Sequence, residues 1–148
     1  MNIWQIAPRL YQGSVPERGQ LAVDVVVLCA QEYQFPASRY GSRPFGDTRV
    51  IRCPLTDANL PLSSGQVMRA LRAAVEVARL WAHGSRVLVT CALGRNRSGL
   101  VNALALMELG HSAEASMAAV RKARPNAIDN PHFEHLLRAI GSRKRAVA

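Results

Sequence analysis

The stretch that decides the fold reads Val87-Leu88-Val89-Thr90-Cys91-Ala92-Leu93-Gly94-Arg95-Asn96-Arg97-Ser98-Gly99. Its valine-rich beginning predicts a buried strand over Arg86–Thr90. The apolar run Ser98–Leu109 predicts a helix that is buried on most sides. Five residues separate Cys91 from Arg97, and Gly94 among them permits the backbone angles of a tight loop. The segment therefore predicts a strand, a short loop and a buried helix, with a cysteine where the strand ends.

This loop has the properties of an anion-binding site. Backbone N–H groups that point into a curled loop attract a phosphate, and the positive N-terminus of the following helix adds to them. A guanidinium at the end of the loop can hold two phosphate oxygens in a bidentate fork. The same positive field favours the thiolate of Cys91, which is the nucleophilic form. The residues predicted to bind phosphate are Ala92, Leu93, Gly94, Arg95, Asn96 and Arg97.

Two further side chains would complete the chemistry of phosphate-ester hydrolysis. Attack by Cys91 would form a cysteinyl-phosphate, and the leaving group would need a proton. Asp57, in a loop between Pro54 and Pro61, is predicted to be the general acid and later the base for water. Ser98 is predicted to donate a hydrogen bond to the thiolate as it leaves phosphorus. The candidate catalytic residues are Cys91, Arg97, Asp57 and Ser98.

Outside this segment the sequence predicts alternating strands and helices. Strands are predicted at Val23–Cys29 and Arg49–Cys53, with a short edge strand at Leu10 and Tyr11. Helices are predicted at Ser64–His83, Ser112–Ala123 and Pro131–Ile140, and Gly110 is predicted to end the helix before Ser112. This order predicts one α/β domain over residues 1–148, with a central, mainly parallel sheet flanked by helices. Ligands bind beyond the carboxyl ends of such strands, which is where Cys91 is expected.

Two segments give the predicted fold further detail. The helix Ser64–His83 is amphipathic. Its predicted buried face consists of Val67, Leu71, Ala74, Val75, Ala78 and Trp81. The polar stretch Gln31–Thr48, which contains Arg39 and Arg43, predicts a long loop. Loops of this length are often functional, but a surface excursion fits equally well.

Composition limits the class of protein and its partners. The 148 residues are 49% hydrophobic, an ordinary globular value, so disorder of the whole chain is excluded. The net charge of +9 fits a phosphorylated protein, an anionic lipid or a nucleic acid as partner. No run of aromatic residues accompanies the basic ones, so a dedicated nucleic-acid module is weakly supported. The basic residues Arg143–Arg145 predict a frayed, solvated terminus.

The cysteines indicate a reducing environment. Cys29, Cys53 and Cys91 are too few, and odd in number, for a disulfide framework. The sequence predicts no signal peptide and no transmembrane stretch, so we expect a cytoplasmic protein. Cys29 and Cys53 end two predicted strands and are interpreted as buried, inert thiols, with a redox role toward Cys91 as the alternative. His132 and His135 lie three apart, but cysteine chemistry needs no metal, and we expect no metal or other cofactor.

The segment from Cys91 to Ser98 resembles the Cys-x5-Arg-Ser signature of the protein tyrosine phosphatase superfamily. The chain is most similar to the small dual-specificity phosphatases of that superfamily, over nearly its whole length. The other matching parts are Ile6–Gly13, Asp57 in the general-acid loop, Val120–Pro125 and Asn130–Phe133. The resemblance implies a monomeric phosphatase, without a membrane span, that acts on phosphotyrosine, phosphoserine or phosphothreonine in proteins.

Two departures from the family pattern leave alternatives open. The residue before the nucleophile is usually His but is Thr90 here, which predicts a less stabilised thiolate and favours a phosphate-binding pseudophosphatase. Arg95 places a cation inside the loop, a feature that resembles some members of the superfamily that act on lipid phosphates. The run Asn96–Gly99 is similar to the Asn-Arg-Thr-Gly of the RNA 5′-triphosphatase branch, although that branch typically lacks an equivalent of Asp57. The same chemistry on a phosphoinositide or on an RNA 5′-phosphate is therefore the second interpretation.

Overall fold

The computed structural model describes residues 2–15, 22–36, 42–43 and 46–147. The strands within these ranges are β1 Ile3–Ala7, β2 Leu10–Gly13, β3 Val25–Ala30, β4 Ser42–Arg43, β5 Gly46–Asp47, β6 Arg49–Leu55 and β7 Val87–Thr90. Five of them form one sheet in the order β1-β2-β7-β3-β6, and β4 pairs with β5. The predicted loop Gln31–Thr48 thus contains a small antiparallel ladder. Arg39 lies outside the described residues.

The five-stranded sheet is mixed but mainly parallel, as predicted. β1 runs antiparallel to β2, whereas the pairs β2–β7, β7–β3 and β3–β6 are parallel. The carboxyl ends of β7, β3 and β6 therefore lie at the same end of the sheet. In open sheets of this kind, ligands bind beyond that end.

The prediction of an edge strand at Leu10 and Tyr11 is wrong, because β2 lies inside the sheet and β1 forms the edge. A tight turn, with Arg9 at a φ of 67°, separates the two strands. β1 is only partly buried, so its hydrophobic pattern is weak. At the opposite edge, β6 continues through Pro54, where the prediction ended it, because an edge strand tolerates the missing N–H of proline.

The helices of the described ranges are α1 Ser64–Ala82, α2 Arg97–Glu108, α3 Ala113–Ala123 and α4 Pro131–Val147. As predicted, Ser112 caps α3 by accepting a hydrogen bond from the Ala115 N–H at 3.0 Å. Gly110, at a φ of 103°, follows the end of α2, also as predicted. α1 begins in the same way as α3, with the Ser63 hydroxyl accepting from the Gln66 N–H at 3.2 Å.

The buried face of α1 differs from the predicted one. Its buried residues are Ala70, Ala73, Ala74, Val77 and Ala78. Val75, which was predicted to be buried, is 48% exposed. The prediction gave weight to bulky apolar side chains, but the face that packs toward α2 and β6 is built mainly of alanines, which allow a close approach.

α4 runs past Ile140 to Val147, so the prediction that Arg143–Arg145 are frayed is wrong, whereas their predicted exposure to solvent is confirmed. Lys144 donates to the Met107 carbonyl at 3.5 Å and pairs with Glu108 at 3.4 Å. These contacts join the end of α4 to α2, although exposed ion pairs contribute little free energy each. None of the helices in the described ranges has the length and hydrophobicity needed to cross a membrane.

α2 is the most buried helix of the core. Every residue from Arg97 to Met107 is buried, as the apolar run predicted. β3 is buried along its whole length. The first turn of α2 is thereby fixed near the end of β7, with the short loop of residues 91–96 between them.

Candidate active site

The predicted nucleophile and its predicted helper are in contact. Cys91 follows β7 directly, and its N–H donates to the Gly13 carbonyl of β2 at 3.1 Å, which fixes the start of the loop. Cys91 Sγ lies 3.2 Å from Ser98 Oγ in the first turn of α2, and both residues are buried. A hydroxyl that donates to sulfur suits a site where the sulfur carries negative charge.

The loop between these residues presents unpaired backbone donors. From Ala92 to Asn96, no backbone N–H donates a hydrogen bond to any group in the described ranges. α2 begins at the next residue, Arg97, so the positive end of its dipole adds to these donors. An array of unpaired N–H groups beside a helix N-terminus can bind the oxygens of an anion.

A buried polar network supports the loop, and the sequence analysis missed it. The Gln12 side-chain amide donates to the Gly94 carbonyl at 3.1 Å, and the Asn102 amide donates to Gln12 Oε1 at 3.1 Å. Both side chains are fully buried. One signal was present in the sequence, because Asn102 interrupts an otherwise apolar helix.

Arg97 is 6% exposed, and a carboxylate missed by the sequence analysis holds its guanidinium. Nη1 and Nη2 donate to the Glu32 carboxylate at 2.7 and 2.6 Å, and Nη1 also donates to the Leu55 carbonyl at 3.1 Å. The Nε of Arg97 is buried and has no partner in the described part of the chain, so it can donate to a substrate oxygen. The only sequence signal for the role of Glu32 is its position just after β3, at the carboxyl end of a parallel strand.

The pair of Glu32 and Arg97 keeps both groups ionised. The hydrogen bond from Arg97 lowers the pKa of Glu32. Burial opposes the charge on Arg97, but the hydrogen bond with Glu32 and the electrostatic interactions with Cys91, Glu32 and Asp57 outweigh it and raise the pKa of Arg97. The site therefore contains a fixed cation.

Asp57, the predicted general acid, lies beside the loop of residues 91–96. Its carboxylate accepts hydrogen bonds from Asn96 Nδ2 at 3.0 Å and from Asn130 Nδ2 at 2.8 Å. Asp57 and Arg97 line the same cavity of about 380 Å³. The structure therefore brings Cys91, Ser98, Arg97 and Asp57 to one end of the sheet.

The side chains of Arg95, inside the signature, and of Thr90, just before it, make contacts outside the loop of residues 91–96. Arg95 forms an ion pair with Asp129, in the loop between α3 and α4. This pairing differs from the expectation that Arg95 adds its positive charge to the phosphate site. The Thr90 hydroxyl donates to the Val27 carbonyl of β3 at 2.9 Å, so it binds to the sheet rather than to the loop of residues 91–96.

Comparison with known proteins gives similarity in structure only. No protein-family model matches the sequence, and no curated protein matches it either. Human DUSP28 is 24% identical over 97% of this chain and 95% of its own, with a TM-score of 0.78. The active form of Tk-PTP is 24% identical over 95% of this chain and 97% of its own, with a TM-score of 0.75. PTPMT1, solved in complex with PI(5)P, is 17% identical over 96% of each chain, with a TM-score of 0.77.

These structures match nearly the whole chain, and their TM-scores of 0.75 to 0.78 show a common fold. The strand order, the buried helix after the cysteine loop and the flanking helices all belong to that shared architecture. The chain therefore has the dual-specificity-phosphatase-like fold of human DUSP28 and of the other structures compared.

Proposed function

We propose that the chain is a cysteine-dependent phosphatase of the protein-tyrosine and dual-specificity type. The observation that carries the proposal is the 3.2 Å contact between Cys91 Sγ and Ser98 Oγ at the two ends of a loop that leads to Arg97 and whose N–H groups at residues 92–96 have no partner among the described residues. A sulfur nucleophile, an anion cradle and a fixed cation meet at the N-terminus of α2. This combination suits the transfer of a phosphoryl group to sulfur.

In the first step, the phosphate binds in the loop of residues 92–97, with its oxygens held by backbone N–H groups and by Arg97. The Cys91 thiolate attacks phosphorus, so that an S–P bond forms while the ester P–O bond breaks. The Asp57 carboxyl gives its proton to the departing oxygen, which leaves as a neutral alcohol or phenol. Glu32 keeps the guanidinium of Arg97 oriented through its bidentate hydrogen bonds.

In the second step, water attacks phosphorus and the S–P bond breaks. The Asp57 carboxylate accepts the proton of the water, and the sulfur leaves as a thiolate. Ser98 stabilises this thiolate through its hydroxyl. Inorganic phosphate departs, and the site returns to its initial protonation state.

The proposed substrates are phosphotyrosine, phosphoserine and phosphothreonine in proteins. The likeness to small dual-specificity phosphatases supports this class. The net charge of +9 would also attract acidic segments that surround a phosphorylated residue.

A phosphoinositide is the second candidate substrate. PTPMT1, which shares the fold, was solved in complex with PI(5)P. Arg95 is a second cation, within the loop itself, and its Nε is buried without a partner in the described residues. The ion pair with Asp129 offsets the positive charge of Arg95, which makes the lipid the weaker candidate.

The proposal is tested by the rate of p-nitrophenyl phosphate hydrolysis under reducing conditions. We expect Cys91→Ser to be inactive. Arg97→Lys should lose about a hundredfold or more, because lysine cannot form the bidentate fork. Arg72→Lys makes the same substitution at an exposed arginine on α1 and should retain the wild-type rate.

Equal rates for wild type and Cys91→Ser would place the chemistry elsewhere and refute the proposal. An inactive but folded wild type that binds phosphopeptides would favour the pseudophosphatase. A panel of phosphopeptides, phosphoinositide vesicles and 5′-triphosphorylated RNA then identifies the substrate class. We expect the highest kcat/KM with a phosphopeptide.

A further inference from the structure

Two asparagine side chains hold the Asp57 carboxylate, one on each of its oxygens. Asn96 Nδ2 donates to Oδ2 at 3.0 Å, and Asn130 Nδ2 donates to Oδ1 at 2.8 Å. Asn96 belongs to the phosphate-binding loop, whereas Asn130 precedes α4. The proposed general acid is therefore bound from two directions by side chains that have no part in the two chemical steps described above.

Asn96 is the N-cap residue of α2, yet its side chain makes no capping hydrogen bond. Capping is the usual reason for asparagine at this position. Instead, its Oδ1 accepts the backbone N–H groups of Asp129 at 2.8 Å and Asn130 at 3.3 Å. The side chain thus joins the phosphate-binding loop to the loop between α3 and α4, while its amide group binds Asp57.

Asn130 is 7% exposed, and both polar atoms of its side chain are engaged. Nδ2 donates to the Ala58 carbonyl at 3.1 Å as well as to Asp57, and Oδ1 accepts the His132 N–H at 3.0 Å. These bonds fix which end of the amide faces Asp57. They also attach Asn130 to two successive residues, Asp57 and Ala58, of the loop that carries the proposed general acid.

The loop that carries Asn130 is itself held firmly. Arg121 donates to the carbonyls of Ala127 at 3.0 Å and Ile128 at 2.8 Å, and the Ile128 N–H donates to the Arg95 carbonyl at 3.2 Å. Ile128 is fully buried at a φ of 55°, which a β-branched residue rarely adopts. Such a backbone persists only where the surrounding contacts enforce it.

We propose that Asn96 and Asn130 are positioning residues that hold the Asp57 carboxyl where it can exchange a proton with the leaving group. This inference rests on the proposed function, because it concerns the acid of that reaction. Asp57 is exposed, and proton transfer requires hydrogen-bond reach and alignment. A carboxyl held by two rigid donors loses less orientational freedom at the moment of reaction than one on an unbound loop.

Leaving-group dependence distinguishes this role from a general effect on the fold. p-Nitrophenol leaves readily as an anion, whereas phenol needs a proton as it departs. We expect Asn96→Ala and Asn130→Ala to lower kcat/KM for phenyl phosphate by about 10–100-fold, part of the 10²–10⁴ that general acid catalysis contributes. For Asn130→Ala, kcat/KM for p-nitrophenyl phosphate should fall by less than about threefold, since that leaving group needs little acid assistance. For Asn96→Ala, whose backbone belongs to the loop that holds the phosphate, the readout is the ratio of the two kcat/KM values, which should shift against phenyl phosphate as it does in Asn130→Ala.

Each substitution is also combined with Asp57→Asn. Without a carboxyl to position, removal of either asparagine amide should cause less than about a twofold further loss with phenyl phosphate. The inference would be overturned if either asparagine substitution lowered kcat/KM for phenyl phosphate as much in Asp57→Asn as in the wild type. It would also be overturned if kcat/KM fell equally with phenyl phosphate and p-nitrophenyl phosphate. Asn96→Ala carries the test if Asn130→Ala fails to fold, because Asn96 is less buried.

Asn59→Ala is the matched control. Asn59 lies in the same loop as Asp57, is exposed and makes no hydrogen bond with the described residues. Its substitution should leave the ratio of the two kcat/KM values unchanged, and a matching loss there would count against the inference. A wild type without Cys91-dependent turnover overturns the proposed function and this inference together. Turnover with additive losses overturns this inference alone.

Discussion

At Gly94 the loop of residues 91–96 passes so close to β2 that no side chain fits. Gly94 has a φ of 64°, and a Cβ there would lie 2.6 Å from the Gly13 carbonyl carbon and 2.8 Å from the Trp4 ring. Gly84 also has a positive φ, 98°, but a Cβ there would meet nothing within 4 Å. Substitutions at both positions therefore strain the backbone, but only a substitution at Gly94 also causes steric overlap.

We predict that Gly94→Ala abolishes phosphatase activity and that Gly84→Ala leaves it unchanged. Both substitutions should destabilise the protein by about 1–3 kcal/mol through the left-handed backbone. Gly94→Ala should cost more, because the loop must move away from Gly13 and Trp4. Urea denaturation and p-nitrophenyl phosphate hydrolysis check both variants. An active Gly94→Ala would show that the loop adopts another path.

Glu32 should make the stability of the protein depend on pH, because the hydrogen bond from Arg97 lowers its pKa. A carboxyl whose folded-state pKa lies below its unfolded value of about 4.3 contributes stability above that value. The contribution is lost as the pH falls through the folded-state pKa. Since Glu32 neutralises a buried guanidinium, it stabilises the folded state at neutral pH.

We predict that Glu32→Gln is less stable than wild type at neutral pH, and that the difference shrinks as the pH falls below about 4. Urea unfolding across this pH range measures the difference. Glu108→Gln removes an exposed ion pair with Lys144 and serves as the control, with a small effect at every pH. A difference between Glu32→Gln and wild type that stays constant with pH would contradict the proposed role of the carboxylate.

At the scale of elements, three parallel strands bring the three cysteines side by side. Leu28 of β3 lies opposite Thr90 of β7 and Arg52 of β6, and the residue that follows each of them is a cysteine. The structure thus confirms that Cys29 and Cys53 are buried and unbridged. Burial raises the pKa of Cys29 strongly, and its hydrogen bond with Cys53 adds to the effect. Cys29 should therefore be a protonated, unreactive thiol.

We predict that iodoacetamide near neutral pH alkylates Cys91 in the native protein and leaves Cys29 and Cys53 unmodified. Inorganic phosphate should slow the reaction, because it occupies the loop around the sulfur. Peptide mapping by mass spectrometry identifies the modified cysteine, and the urea-unfolded protein serves as the control, in which all three should react. Alkylation of Cys29 at the rate of Cys91 in the native protein would contradict this prediction.

At the scale of the whole molecule, the sequence predicts the central elements well because their burial is nearly uniform. β3 and β7 are buried along their whole length and α2 is buried from Arg97 to Met107, so their mainly apolar local pattern predicts them. β1 is partly exposed and carries a weaker pattern. The buried face of α1 was only partly predicted, because its position depends on how closely alanines let two helices approach.

Within the candidate site, the sequence predicts the residues that are close together along the chain but not those that are distant. Cys91, Gly94, Arg97 and Ser98 are close in sequence, so their spacing alone predicts a shared loop. Glu32, Gln12, Asn102 and Asn130 reach the site through hydrogen bonds across 65 to 90 positions of the chain. No local pattern encodes such long-range pairings, so these supporting residues required the structure.

The central claim is that phosphate is transferred to Cys91, and the phosphoenzyme tests it most directly. The measurement is rapid acid quenching of Asp57→Asn during turnover of p-nitrophenyl phosphate, followed by mass spectrometry of the peptide that contains Cys91. Asp57→Asn lacks the base for the second step, whereas this leaving group needs little acid for the first, so the intermediate should accumulate. We predict a phosphoryl group on Cys91 and none in Cys91→Ser. Steady turnover with no phosphoryl group on Cys91, or with one on another residue, would contradict the account.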